Sequence, residues 1–167
     1  GAIATHRIWP QDLEDKPPSS EAKLPAGVEY IIGHGVDFDW KMLGSDPGVK
    51  RICTMAISKR LFPETDSHSQ GAMVAMLCGG DDGVRGLLRG SHSAATDTLL
   101  CAYLLRKLIE TIQERYQKQV RDVAHLHEIS EWARKPTVLT FGKHKGTAIK
   151  DVPSDYKAWL LKQDDLD

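Results

Sequence analysis

The stretch Val28–Gly33 (VEYIIG) limits the fold more than any other part of this 167-residue chain. Side chains alternate along a strand, and here apolar groups fall on both sides, with Glu29 the one charged position. A strand of that kind suits a parallel sheet covered on both faces. Gly33-His34-Gly35 ends it, and Asp37 and Asp39 follow at once, bracketing Phe38. Ligand sites in α/β sheets gather where strands end, so carboxylates at this point call for a chemical reason.

The flanking segments set the frame. Residues 9–27 hold four prolines and many charges and read as loop, with a helical turn near Asp12 to Asp15. Spacing predicts a short helix over 37–43 with Phe38 and Met42 on one face, a turn at SDPG (45–48) and a second strand over 49–53. A helix over 54–61 stops before Pro63. Further helices are expected over 67–77, capped by Ser67 or Ser69, over 93–119, and over 123–133. The glycine-rich CGGDDGVRGLLRG (78–90) reads as a loop without an assigned function. It is no phosphate-binding P-loop, because no Gly-Lys-Ser/Thr closes it. In the tail, short strands over 137–141 and 147–149 flank GKHKG, and a helix spans 154–163. The domains expected are 1–120, a helical linker 121–136 and a small basic module 137–167.

The long helix carries a misplaced acid. Ala94, Cys101, Leu104, Leu108 and Ile112 share one face, and Asp97 falls within that stripe. A bare carboxylate among core residues costs several kcal/mol unless a cation or a metal compensates it. The other explanation is that the stripe reaches the edge of the protein and Asp97 is half-exposed. The two remain open at this level. His92, at the helix entrance in HSAATD, is placed to share a cleft with an inward-facing Asp97. Asp37 is assigned to capping the short helix and Asp39 to the site.

Composition excludes several classes. The chain is 41% hydrophobic and 27% charged, as in ordinary globular proteins. No apolar run approaches the roughly 18 residues of a membrane span, and the start GAIATHRIWPQ has no signal-peptide core. No membrane partner is expected. Three widely spaced cysteines, with no CxxC pair, suggest free thiols in a reducing, cytoplasmic setting. His125 and His127 lie two apart on a helix with no cysteine near, so no zinc site is expected there.

Taken together, the motifs resemble a known family. HGVDFD (34–39) resembles the second motif, His-Asn-x-x-Phe-Asp, of the DEDDh 3′→5′ exonucleases, and HSAATD (92–97) resembles their third, His-x-Ala-x-x-Asp. The intervening RICTMAISKRLFPETDSHS and the tail TFGKHKGTAIKDVPSDYKAWLLKQ are similar to the exodeoxyribonuclease X-like members. The resemblance implies an α/β, ribonuclease H-like fold: a mixed sheet with helices on both faces, plus a small ββα-like C-terminal module. It implies hydrolysis of phosphodiester bonds at 3′ ends of nucleic acid, DNA first and RNA left open, with two Mg²⁺ or Mn²⁺ ions. Asp39 and Asp97 would match two of the four metal-binding carboxylates, and His92 the general base. His34 and Phe38 are the nucleic-acid contacts expected in the second motif.

The sequence also departs from that pattern. The family's first motif, Asp-x-Glu on the first strand, is not found. Asp12-Leu13-Glu14 has the letters but follows Trp9-Pro10 and belongs to no strand. The first strands of the sheet are therefore expected to be absent, the strand over 28–33 to show an unpaired edge, and the chain by itself to be inactive. Gly35 stands where the family has Asn. The alternative is a non-catalytic nucleic-acid-binding or structural remnant of such an enzyme.

The tail supplies local charge. From Arg134 to Lys150 there are five Lys/Arg and no acid, within a chain of net charge −1. Lys143 and Lys145 are expected to contact phosphates. Tyr156, Trp159 and Leu160, spaced i, i+3, i+4, are read as the buried face of the last helix, stacking on bases being their other use.

Overall fold

The computed structural model describes residues 3, 8–79, 81–90, 93–139 and 141–163. The chain divides into two compact units, the first ending at Arg134 and the second starting at Lys135.

In the first unit, β1 (Tyr30–Gly33) and β2 (Lys50–Cys53) form a parallel pair, with Tyr30 opposite Lys50 and Gly33 opposite Cys53. Between them runs α1 (Asp37–Met42). Then follow α2 (Thr54–Leu61), α3 (Gln70–Cys78), α4 (Asp82–Arg89), α5 (Ala94–Tyr116) and α6 (Val123–Arg134). This is a mixed α/β arrangement. Among the described residues the sheet has two strands only, short of the mixed sheet that the resemblance implies. On those residues β1 is paired along one edge, and its Ile32 is 42% exposed.

One apolar core holds this unit together. Ile52, Ile57, Met73, Leu100, Leu104 and Leu108 are essentially inaccessible and pack with one another. Fully burying each of those side chains contributes about 1.5–3 kcal/mol. α5 supplies half of them, Leu104 and Leu108 from the predicted stripe and Leu100 beside it; Cys101 and Ile112 of the stripe are buried too, while Ala94, at the first turn, is exposed. Ser69 caps α3 by accepting from the Ala72 N–H, and Ser93 caps α5 by accepting from Thr96. All three cysteines are buried and free. No described helix is long and apolar enough to cross a membrane.

Two expectations need correction. Residues 82–89 form a helix, not a loop. Asp81 caps it through the Val84 N–H at 3.1 Å, and Val84, Leu87 and Leu88 join the core. That burial outweighs the roughly 1 kcal/mol that each of Gly83 and Gly86 costs a helix. Next, Asp37 is not the cap of α1; Val36 holds that position, without a side-chain bond. Phe38 and Met42, the pair expected on one face of α1, are both open to solvent at 70% and 52% exposure, and the half-buried Trp40 carries the contact on the other side.

The segment set apart as a linker behaves differently from one. Within it α6 packs on α2 and β2. Its fully buried Ser130 accepts a hydrogen bond from the Cys53 N–H at 2.9 Å, at the end of β2. An unmet buried N–H costs about 1–3 kcal/mol. Ser130→Ala should lower the unfolding free energy by that amount in urea titrations. An unchanged midpoint would mean that α6 does not seal the strand.

The second unit is small. Val138 and Ala148 form an antiparallel bridge, supported by Leu139 N–H to Thr147 O at 2.9 Å and Ile149 N–H to Thr137 O at 2.9 Å. A 3₁₀ turn (Ile149–Asp151) leads to α7 (Ser154–Leu160). Among the described residues the expected strands are reduced to that bridge, and Leu139 and Val152 are the buried apolar groups of this unit.

Candidate functional site

A cleft of about 890 Å³ opens where β1 ends. Asp39 and Asp97 both line it. They come from segments almost sixty residues apart, Asp39 from the first turn of α1 and Asp97 from the first turn of α5. Asp39 is exposed and Asp97 half-buried, so water and solutes reach both. For Asp97 the edge reading of the helix stripe applies: the buried run starts at Leu100, one turn further on. A carboxylate in the first turn of so long a helix also meets the positive end of the helix dipole. His92 lies outside the described residues.

The cleft wall is built by bonds that fix its backbone. The Gln70 side-chain amide donates to the Asp97 carbonyl oxygen at 2.7 Å and ties α3 to the start of α5. Gln70 lines the cleft itself. Sequence reading missed it, and its one signal was its place directly after the capping serine. Leu100 and Cys101 form an apolar floor. Burial pushes the Cys101 thiol up, which its 3.9 Å contact with the Thr54 hydroxyl only partly offsets, so it stays a neutral S–H.

His34 lines the same cleft with both ring nitrogens engaged. Nε2 lies 2.7 Å from the His68 carbonyl oxygen and Nδ1 3.0 Å from the Thr54 hydroxyl. A carbonyl oxygen only accepts, so Nε2 carries the proton. Burial lowers the His34 pKa despite that bond, with Lys59 adding in the same direction, and this favours the neutral ring. What His34 can offer a ligand is therefore its ring face. Phe38, beside Asp39 in sequence, presents an open ring to solvent. Gly35 has φ +84°, in the left-handed region. Glycine enters it freely and Asn is among the few other residues that do, so the backbone here takes a path open to either.

The helix that carries Asp39 is clamped at two points. Asp37 receives Arg51 Nη1 at 2.7 Å on one carboxylate oxygen and Arg134 Nη1 at 2.6 Å on the other. The Arg51 guanidinium also lies over the Trp40 ring, 4.4 Å from its centroid, and the Trp40 indole N–H donates to Asp46 O at 2.9 Å. Burial alone would raise the Asp37 pKa, but Arg134 and Arg51 together outweigh it and hold the carboxyl below its ordinary value.

The donor chemistry at Asp39 and Asp97 is oxygen only, which suits Mg²⁺ or Mn²⁺. Among the described residues no group of three His, Cys, Asp or Glu sits close enough to hold a metal. Mg²⁺ is commonly held by one or two carboxylates with waters and substrate phosphates completing the shell, and two accessible carboxylates fit that mode. Asp12-Leu13-Glu14 contributes nothing here. It lies in an exposed 3₁₀ turn where the Asp12 carboxylate accepts from the Trp9 N–H. Lys143 and Lys145 are exposed and belong to the second unit.

Comparison with known proteins adds one relationship. Exodeoxyribonuclease 10 of Escherichia coli strain K12 is 30% identical over 165 residues, 96% of this chain and 70% of the relative. The protein of the same name from Escherichia coli O6:H1 matches to the same extent. No family model and no solved structure matches.

The Asp37 clamp makes a pH-dependent prediction. A carboxyl held below its ordinary value of 3.8 stabilises the fold fully above that pH and loses the contribution as pH falls through the folded value. Asp37→Asn should melt below wild type at neutral pH, and the gap should close on acidification. A gap independent of pH would sink the pairing.

Proposed function

Because this chain belongs to the exodeoxyribonuclease 10 family, we propose that it serves a 3′→5′ exonuclease that hydrolyses phosphodiester bonds at DNA ends. The observation that carries the reading is the meeting of Asp39 and Asp97, from two separate family-like motifs, in one cleft at a strand end. Asp39 and Asp97 would hold the divalent ions, and His92 would take the proton of the attacking water, since an imidazole titrates in the right range. When bound, two Mg²⁺ or Mn²⁺ ions lower the pKa of that water and stabilise the leaving oxygen. The open ring of Phe38 and the ring face of His34 would contact the terminal nucleotide. Lys143 and Lys145 would contact the phosphate backbone.

The missing Asp-x-Glu pair leaves the carboxylate set half complete. These 167 residues by themselves are therefore expected to release no nucleotides. A longer chain that adds a strand carrying that pair beside β1 is expected to release them from 3′ ends, and to stop on Asp97→Ala. The direct test on the present chain is a Mn²⁺ titration followed by electron paramagnetic resonance. Weak binding should appear in the wild type and vanish in the Asp39→Asn, Asp97→Asn double variant. Equal binding by both would overturn the metal assignment and favour a non-catalytic nucleic-acid-binding domain.

A further inference from the structure

Inside the second unit, the Gly-Lys-His-Lys-Gly turn and α7 meet through three rings. His144 stands edge-on to Tyr156 with centroids 4.6 Å apart, and Tyr156 lies against Trp159 at 5.3 Å with the planes 37° apart. Gly142 permits this: it has φ +69°, and a Cβ there would collide with the Tyr156 hydroxyl. The row of rings runs from half-buried His144 outward to Trp159, which is 52% exposed. This corrects the expectation that Trp159 belongs to a buried helix face.

Cations flank the first ring of the row in sequence. Lys143 and Lys145, on either side of His144, are exposed, as is Lys150 after the bridge. Phe141, just before the turn, is 46% exposed. The acids in this part of the unit are Asp151 and Asp155, both exposed, on the far side of the turn in sequence. A half-exposed indole joined through Tyr156 to a turn of alternating lysines matches a ligand in which flat rings and negative charges alternate. A single nucleic-acid strand has that pattern, whereas an intact duplex hides its base faces.

We propose that the C-terminal unit binds single-stranded nucleic acid, Trp159 stacking on a base while Lys143 and Lys145 hold the neighbouring phosphates. The lysine half rests on the phosphate-contact reading given above. The stacking half does not, and the two have separate readouts.

The experiment uses the full chain in EDTA, so that hydrolysis cannot interfere, with fluorescein-labelled oligo(dT) and a duplex of equal length as probes in fluorescence anisotropy. Trp159→Ala should weaken oligo(dT) binding about tenfold, the worth of one stacked base, and leave the salt dependence unchanged. Trp159→Phe should recover most of the affinity, which a purely structural role of the indole would not predict. Lys143→Gln with Lys145→Gln should reduce the salt slope by about 1.4, two single-strand phosphate contacts at ~0.7 each. Wild-type affinity in Trp159→Ala, or equal binding of duplex and single strand, would overturn the stacking proposal and leave the exposed ring to a protein partner. A salt slope that the lysine variant does not change would overturn the phosphate contacts separately.

Discussion

The Thr54 hydroxyl is the joint on which the first unit depends. It is fully buried, and it lies within reach of the Gly33 carbonyl (3.2 Å), His34 Nδ1 (3.0 Å) and Cys101 Sγ (3.9 Å). One group thus ties the end of β1, the turn after it and the long helix α5. Strands of four residues share too few ladder bonds to hold their own ends in register, so this link matters more than it would in a wide sheet. His34 passes the constraint to the His68 carbonyl, Ser69 then caps α3, and Gln70 returns to the Asp97 carbonyl. The cleft is the space enclosed by that circuit. The hydroxyl has one proton for two acceptors. A neutral His34 must therefore share it with Gly33, which makes the joint sensitive to anything that perturbs the ring.

Charge is sorted by the same architecture. The Asp37 carboxylate is neutralised by two guanidinium groups and serves the position of α1. Asp39, two residues on, turns to the cleft. With Asp97 it gives the cleft a concentration of negative charge over an apolar floor of Leu100 and Cys101. On the nuclease reading proposed above, phosphates would approach those carboxylates, and divalent cations between them would offset the repulsion. The exposed lysines of the second unit offer attraction of another kind, spread along a backbone.

Much of this was legible in one dimension, where local rules decide. The apolar run before Gly33, the α5 stripe from Cys101 to Ile112 and a cap at one of Ser67 or Ser69 each depend on a few neighbouring residues; the strand and the stripe reappear in space, and the cap is Ser69. The places where the reading failed are those where distant residues compete. Glycines at 83 and 86 argue against a helix, until a core offers Val84, Leu87 and Leu88 a place. Asp37 has a good cap composition, but Arg51 and Arg134 take its oxygens from fourteen and ninety-seven residues away. Trp159 has helical spacing with Tyr156, and spacing alone cannot tell whether a small unit has enough interior to cover a large ring.

By itself the sequence determined the order of the first strands and of most helices, and which carboxylates followed a strand end or opened the long helix. These follow from periodicity and capping, whose range is one or two turns of chain. The tertiary structure alone decided that Asp39 and Asp97 line one cleft, that Asp37 is held by Arg51 and Arg134 instead of capping its helix, and that Trp159 stays open against Tyr156. Each of those outcomes depends on which surfaces close against one another across tens of residues. That is a matter of packing and of satisfying buried polar groups, and no local pattern encodes it.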